Sequence, residues 1–344
     1  MSNLVMGLDT FGDVPVDDSG VPLSQAAAIR QVIDEAVLAD DLGVDVIALG
    51  EHHRPEYSIS SPETVLAGIA ARTRRIRLAS GVTVLSSDDP VRVFQRFATV
   101  DAISQGRAEA ILGRGSFTES FPLFGYDLSD YDVLFEEKLD LFVKLLDEQP
   151  VTWSGTTRPP LENAEVFPKT ESGRLPTWVG VGGSPQSVVR TARHGLRLML
   201  AIIGGQAGRF APYVDLYRRA TEQLGTQAYP VGMHSPGFVA DTDEQAKELF
   251  FPAYKVQMDR IGKLRGWPPM SRIAFESEVA HGSLYVGSPE TVARKIAASV
   301  QALDAGRFDL IYTVGPQAVG ARMRAVELFG SKVAPMVRDI VADA

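Results

Sequence analysis

Short apolar runs alternate with longer amphipathic segments from one end of the chain to the other. An apolar run such as Val46–Leu49 has the length of a buried strand, whereas the segment 24–42 repeats its apolar residues at the spacing of one helix face. Strands of this kind, each followed by a helical pattern, are predicted at 5–9, 46–49, 77–84, 107–112, 177–181, 198–203, 231–239 and 310–314. Eight strand–helix units predict a (β/α)8 TIM barrel, because a doubly wound sheet normally has fewer strands.

The 344 residues form one predicted domain, since no linker rich in Pro, Gly or Ser and no shift of composition divides them. The length beyond that of a minimal barrel lies in three predicted insertions on the barrel, at about 113–131, 148–176 and 251–286. The domain is therefore expected to span residues 1–344.

Composition excludes several classes of function. The chain has no cysteine, so it has no disulfide, thiolate metal site or cysteine nucleophile. Its net charge of −9 disfavours nucleic acid and anionic membranes as partners. The N-terminal residues lack the basic and apolar regions of a signal peptide, and no apolar run is long enough to span a bilayer. These features predict a soluble, cytoplasmic protein.

Two adjacent histidines follow the second predicted strand, in Gly50-Glu51-His52-His53. Barrel enzymes place their reacting groups on the loops after the strands, so one of these histidines is expected to contact a ligand. Adjacent residues of an extended chain face opposite ways, which predicts that at most one of them lies in the pocket. No metal site is expected, because adjacent histidines rarely chelate one ion and no further cluster completes a coordination sphere.

Two glycine-containing loops are candidates for binding an anion. Gly113-Arg114-Gly115-Ser116 combines close backbone approach with a guanidinium, and Gly182-Gly183-Ser184 leads into a predicted helix N-terminus. The second loop does not match a nicotinamide dinucleotide fingerprint, because Pro185 stands where the third glycine belongs and no acid ends the following strand.

An ordered series of short motifs resembles the bacterial luciferase-like flavin monooxygenases, and it covers nearly the whole chain. The motifs are Gly50-Glu51-His52-His53, Gly81-Val82-Thr83-Val84-Leu85, Asp89-Pro90-Val91-Arg92, Ser104-Gln105-Gly106-Arg107, Gly113-Arg114-Gly115, Phe124-Gly125-Tyr126-Asp127, Ala192-Arg193-His194-Gly195 and Val286-Gly287-Ser288-Pro289. Each motif is weak by itself, but their common order is specific.

The resemblance implies a barrel that binds reduced FMN at its C-terminal mouth and inserts one oxygen atom of O2 into a small organic substrate. A separate NAD(P)H:flavin reductase would supply the reduced flavin. His52 matches the catalytic general acid/base of the family, a role that suits an imidazole titrating near neutral pH. The positions that match the flavin-binding residues are Gly81, Val82, Thr83, Arg114, Gly115, Ser116, Gly182, Gly183, Ser184 and Ser187.

Two further expectations follow from the resemblance. The peptide bond between Gly81 and Val82 is predicted to be cis. The chain is predicted to form a homodimer through helices near the second and third strands. The third helix supports this prediction, because it carries more apolar residues than one inward-facing stripe needs. These residues are Val91, Val93, Phe94, Phe97, Ala98 and Val100.

The sequence departs from the luciferases in two places. Ser129-Asp130-Tyr131-Asp132 stands where they have a basic phosphate contact, so anion binding would depend on Arg114 and the helix that begins at Ser184. Ala201-Ile202 replaces their serine and tryptophan, which removes support for light emission and for long-chain aldehydes. Two alternatives stay open, an F420-dependent hydride-transfer oxidoreductase and a non-catalytic flavin-binding protein. The substrate is not readable from the sequence.

Overall fold

The computed structural model describes residues 4–115 and 117–343. Within these ranges the chain forms twelve strands: β1 (Val5–Thr10), β2 (Val46–Leu49), β3 (Arg77–Ser80), β4 (Thr83–Val84), β5 (Ala108–Gly113), β6 (Val151–Trp153), β7 (Leu161–Ala164), β8 (Thr177–Val181), β9 (Arg197–Ala201), β10 (Val231–Val239), β11 (Tyr285–Gly287) and β12 (Ala305–Ile311).

Eight of these strands close into a parallel barrel, in the order β1-β2-β3-β5-β8-β9-β10-β12, and β12 pairs again with β1. The short β4 extends the sheet beside β5, and β11 extends it beside the end of β10. The predicted (β/α)8 barrel is confirmed.

Helices surround the barrel: α1 (Gln25–Asp41), α2 (Pro62–Ala70), α3 (Pro90–Ser104), α4 (Ser120–Phe124), α5 (Tyr131–Leu145), α6 (Pro185–Arg193), α7 (Ala211–Leu224), α8 (Asp243–Arg265), α9 (Arg272–His281), α10 (Pro289–Leu303), α11 (Val319–Leu328) and α12 (Ala334–Ala342). Side-chain caps define several of their starts. The Asp89 carboxylate accepts hydrogen bonds from the backbone amides of Val91 and Arg92, and Thr242 accepts one from Gln245, both as the sequence indicates. Over the described residues, none of the helices combines the length and the apolar character needed to cross a bilayer.

The three segments predicted as insertions carry different structures. The first contains α4 and leads into α5, and the second contains the antiparallel hairpin β6–β7. The third begins inside α8, which starts at Asp243 and continues through Pro252 to Arg265, and it includes α9 and β11.

Helix α3 does not have the surplus apolar surface that the sequence pattern indicates. Val93, Phe94, Phe97 and Val100 are all buried within the single chain, packed in the main core between the barrel and its neighbouring helices. The expected argument for a dimer surface on α3 is therefore wrong, because the barrel itself covers these side chains.

The last barrel strand begins five residues earlier than the sequence pattern indicates, at Ala305 instead of residue 310. Its early residues Arg307 and Asp309 are polar, which hides the strand from a search for apolar runs. Both side chains point into the barrel and are at most 1% exposed. They are stable there because they pair with each other and with Glu109 of β5.

This interior network centres on the Arg307 guanidinium. It donates to Asp309 at 2.7 Å and to Glu109 at 2.6 Å, and Arg77 donates to the other oxygen of Glu109 at 2.5 Å. Burial alone would raise the pKa of Glu109, but the two guanidinium groups lower it below its ordinary value. A Cβ at Gly7 would collide with the Asp309 carboxylate, so glycine is needed at that point of β1.

We predict that Arg307→Leu destabilises the protein by about 3–5 kcal/mol, because it leaves the buried Asp309 carboxylate without its ion-pair partner and removes one of the two guanidinium partners of Glu109. Denaturant unfolding of the variant and the wild type measures the loss. The matched control is Arg324→Leu, which breaks an exposed pair with Asp241 and should cost at most about 1 kcal/mol. Equal losses for the two variants would contradict a supporting role for the interior network.

Candidate active site

A cavity of about 260 Å³ opens at the C-terminal ends of the barrel strands. Residues that follow or end seven different strands contribute to its walls, as expected for a barrel enzyme. Six of the residues predicted to form the site line it: His52, Gly81, Val82, Arg114, Gly115 and Gly182. The chain therefore brings catalytic and cofactor-binding candidates from distant parts of the sequence to one place.

Val82 forms one apolar wall of this cavity, directly after β3. The Gly81–Val82 peptide bond is cis, as predicted. The Val82 side chain lies so close to Gly113 that a Cβ there would be 2.5 Å from Val82 Cγ2. Glycine at position 113 therefore makes room for Val82 in the cavity wall.

His52 lies against three aromatic rings in the cavity wall. Its imidazole stacks on Tyr57 with ring centroids 4.3 Å apart, and the edges of Phe11 and Phe117 approach it at 5.0 and 5.3 Å. Burial, together with the positive charges of His53 and Arg54, lowers the pKa of His52 to about 3. This apolar environment therefore disfavours the charged imidazolium of His52, in contrast to the imidazole titrating near neutral pH that the sequence predicts.

His53 also lines the cavity, so the expectation that at most one of the two histidines does is wrong. The reason is that β2 ends at Leu49, and the following residues no longer alternate as in a strand. His53 Nε2 lies 2.9 Å from Glu51 Oε1, and the other oxygen of Glu51 accepts a hydrogen bond from the Val84 amide. The contact to Val84 ties the loop after β2 to β4.

Arg114 stands at the rim of the cavity, where it is already paired. Its guanidinium donates to Asp132 at 2.9 Å and lies over the ring of Tyr131, whose hydroxyl donates to the Gly115 carbonyl. The Asp132 side chain is 80% exposed. An anion at this rim would compete with a carboxylate that is free to move into solvent.

Four of the predicted residues are not among those that line the cavity. The Thr83 hydroxyl is buried and donates to Glu63 of α2 at 3.3 Å, away from the cavity. The Gly183 carbonyl accepts from Tyr213, Ser184 caps α6 by accepting from the Ser187 amide, and the Ser187 hydroxyl accepts from Arg190. Ser116, also predicted, lies outside the described residues.

Sequence reasoning assigned no role to a third imidazole in this cavity. His234 of β10 lines it, and its Nδ1 lies 2.7 Å from Oδ2 of Asp9 on β1. The two residues are 225 positions apart, so their pairing has no local motif. The signal that could have revealed the pair is a polar residue within each of two apolar strands, Asp9 in β1 and His234 in β10. Among the described residues, no group of three or more His, Asp or Glu side chains is placed to hold a metal ion.

The barrel and its cavity agree with the comparison with known families. The sequence model of the luciferase-like monooxygenases matches residues 11–306, and the chain belongs to that family. A relative is the 4-hydroxyprotoasukamycin monooxygenase of Streptomyces nodosus subsp. asukaensis, which is 28% identical over 314 residues, or 86% of this chain and 83% of the relative.

Solved structures share the fold at low identity. The monooxygenase RslO1 of Streptomyces bottropensis superposes with a TM-score of 0.82 at 24% identity, covering 96% of this chain and 99% of its own. The oxygenating constituent of 3,6-diketocamphane monooxygenase from Pseudomonas putida, solved with FMN, gives 0.75 at 20%, covering 97% and 98%. The coenzyme F420-dependent tetrahydromethanopterin reductase of Methanopyrus kandleri gives 0.72 at 18%, covering 97% and 99%.

We predict that His52 makes the protein less stable as the pH falls. The unfolded chain binds a proton at His52 near pH 6.5, whereas the folded chain does so only near pH 3. Between these values the unfolded state binds more protons, so stability rises with pH. Urea unfolding should show a loss from pH 7 to pH 5 that is about 1–2 kcal/mol larger in the wild type than in His52→Phe.

The control for this titration is His281→Phe, at the exposed end of α9. It should retain the wild-type pH dependence. If His52→Phe also retains it, the imidazole is not held uncharged by its surroundings.

Proposed function

We propose that this protein is the oxygenase of a two-component system, which uses reduced FMN and O2 to insert one oxygen atom into a small organic substrate. A separate NAD(P)H:flavin reductase supplies the reduced flavin. Membership of the luciferase-like monooxygenases gives the class of reaction. The observation that supports the specific proposal is one cavity that combines an apolar wall at Val82 with the guanidinium of Arg114 at its rim.

The cavity fits a flavin in its chemistry. The glycines of β5 and β8 bring backbone close to Val82, which leaves a smooth apolar surface for a planar ring. Arg114 and Gly182 both line the cavity, and in this proposal the guanidinium would neutralise a phosphate group to which the Gly182 amide would donate. Reduced FMN, when bound, supplies the electrons that activate O2.

The protein's own residues position and protect the reacting molecules. Phe11, Phe117 and Val82 exclude water from the inner cavity. We assign His52 to contact with the reacting atoms, where its uncharged imidazole offers one hydrogen-bond donor and one acceptor without bringing in a charge. Of the other predicted cofactor residues, Gly183, Ser184 and Ser187 would act through the start of α6.

F420-dependent hydride transfer is the second candidate. The observation that favours it is the pairing of Arg114 with Asp132, which weakens the site for a terminal phosphate. A non-catalytic flavin-binding protein is a third candidate, and the open cavity beside His52 argues against it.

We predict that reduced FMN binds more tightly than F420, and that Arg114→Leu weakens reduced FMN binding at least tenfold, because it removes the guanidinium at the rim. Asp132→Asn should strengthen binding several-fold, since it removes the carboxylate that competes with phosphate. Anaerobic fluorescence titration of FMN, reduced FMN and F420 measures these changes.

Arg174→Leu is the matched control, because Arg174 also forms an exposed pair, with Asp147, but lies outside the cavity wall. Its affinity for reduced FMN should equal that of the wild type. Tighter binding of F420, or unchanged binding in Arg114→Leu, would contradict the FMN proposal.

We further propose a homodimer, now without the support of α3. The remaining basis is the family resemblance, in which barrels pair through helices near the second and third strands. Light scattering is expected to give twice the chain mass of 37.2 kDa. A mass of one chain over a wide concentration range would contradict it.

A further inference from the structure

Asp9 and His234 form a buried pair that the proposed function leaves unused, and His234 is the member that lines the cavity. Asp9 is 1% exposed and His234 6%, and their closest atoms, Oδ2 and Nδ1, are 2.7 Å apart. Because Nδ1 is engaged by the carboxyl group, Nε2 is the ring nitrogen left to exchange a proton with a molecule in the cavity.

We propose that His234, held by Asp9, is the proton donor of this cavity. It would deliver the Nε2 proton to an oxygen atom of a substrate in the cavity, O2 included, that gains negative charge during the reaction. This role rests on the proposed function and gives a proton-carrying task to a residue other than His52.

The surrounding charges favour a pair that retains its proton. Asp309 and Arg307 face Asp9 from β12, and together with Glu109 and Arg77 they form a network of two carboxylates and two guanidinium groups that balances its own charge. Asp9 Oδ1 has no hydrogen-bond partner in the part of the chain that the structure describes. His234 is therefore the group that balances the charge of Asp9, and a neutral pair costs less than a buried net negative charge.

In the neutral pair, Nε2 carries hydrogen whichever partner holds the shared proton. If Asp9 is ionised, His234 is an imidazolium; if Asp9 is protonated, it donates to Nδ1 and the ring hydrogen lies on Nε2. Burial raises the pKa of the Asp9 carboxyl, and the hydrogen bond with His234 opposes that rise.

The transfer itself is balanced without a further reactant. The Nε2–H bond breaks, the proton forms a bond to the substrate oxygen, and the electron pair that remains on Nε2 leaves a neutral imidazole beside the Asp9 carboxylate. Water entering through the open cavity returns the proton after the product leaves. His52 packs against three aromatic rings and has no carboxylate partner of this kind among its ring contacts, so it is less suited to this step than His234.

Nitrogen-15 NMR of the histidine rings tests the pair in the wild-type protein without any cofactor. We expect His234 to carry hydrogen on Nε2 at pH 7. In Asp9→Asn the proton affinity of His234 should fall at least tenfold, a shift of one pH unit or more. An Nε2 without hydrogen at pH 7 in the wild type, or an unchanged affinity in Asp9→Asn, overturns the proposal.

The second measurement follows the reoxidation of protein-bound reduced FMN by O2 as a function of pH. The rate should fall as the pH rises through the value at which NMR shows His234 losing its proton. His234→Gln should be at least tenfold slower at pH 7 and lose this pH dependence, whereas the exposed control His281→Gln should behave as the wild type. Wild-type rate and pH dependence in His234→Gln overturn the proposal.

The two measurements separate the two hypotheses. If the wild-type protein does not bind reduced FMN, the proposed function is wrong, and the NMR result alone decides whether His234 is a proton-carrying group. Since that measurement uses the wild-type chain, it does not depend on the folding of the His234→Gln variant.

Discussion

The ion pairs of Arg307 inside the barrel are the constraint on which the rest of the structure depends. A guanidinium at most 1% exposed can exist there only if carboxylates surround it, and Asp309 of the same strand and Glu109 of β5 do so. These contacts join β5 to β12 across the interior, so they require the barrel to close with one register. Gly7 on β1 is fixed by the same requirement, since any side chain there would occupy the space of the Asp309 carboxylate.

The same charges determine what the cavity above them can do. Because Arg307 is already paired within the network, His234 is the group that balances the negative charge of Asp9. His52 lines the same cavity, but its ring packs against aromatic side chains and not against a carboxylate. Its imidazole therefore remains uncharged. The imidazoles of His52 and His234 thus acquire different properties from their surroundings, and residue type alone would not distinguish them.

The fold was predictable because the outward faces of the strands are apolar and the helix starts carry capping residues such as Asp89. The prediction failed where the interior is charged, as at Arg307, since a search for apolar runs treats a polar inward residue as the end of a strand. It also misjudged α3, because the pattern shows that Phe94 and Phe97 are apolar but not how much of the helix the barrel covers. His52 and Gly81 were found from motifs, whereas the pairing of His234 with Asp9 depends on a closure that joins positions 225 residues apart.

The ion pair at the rim of the cavity is exposed and weak, unlike the buried ion pairs in the interior of the barrel. Arg114 pairs with Asp132, whose side chain is 80% exposed, and such a pair contributes at most about 1 kcal/mol. A phosphate can therefore displace the carboxylate at little cost, and the carboxylate can displace the phosphate again. Under the proposed function, the flavin would arrive reduced from another protein and leave oxidised, which needs this kind of exchange, whereas a permanently bound cofactor would be served better by an unpaired guanidinium. The weak rim and the strongly paired interior are thus consistent with one division of work, in which the barrel holds the reacting groups in place and the entrance lets the flavin exchange.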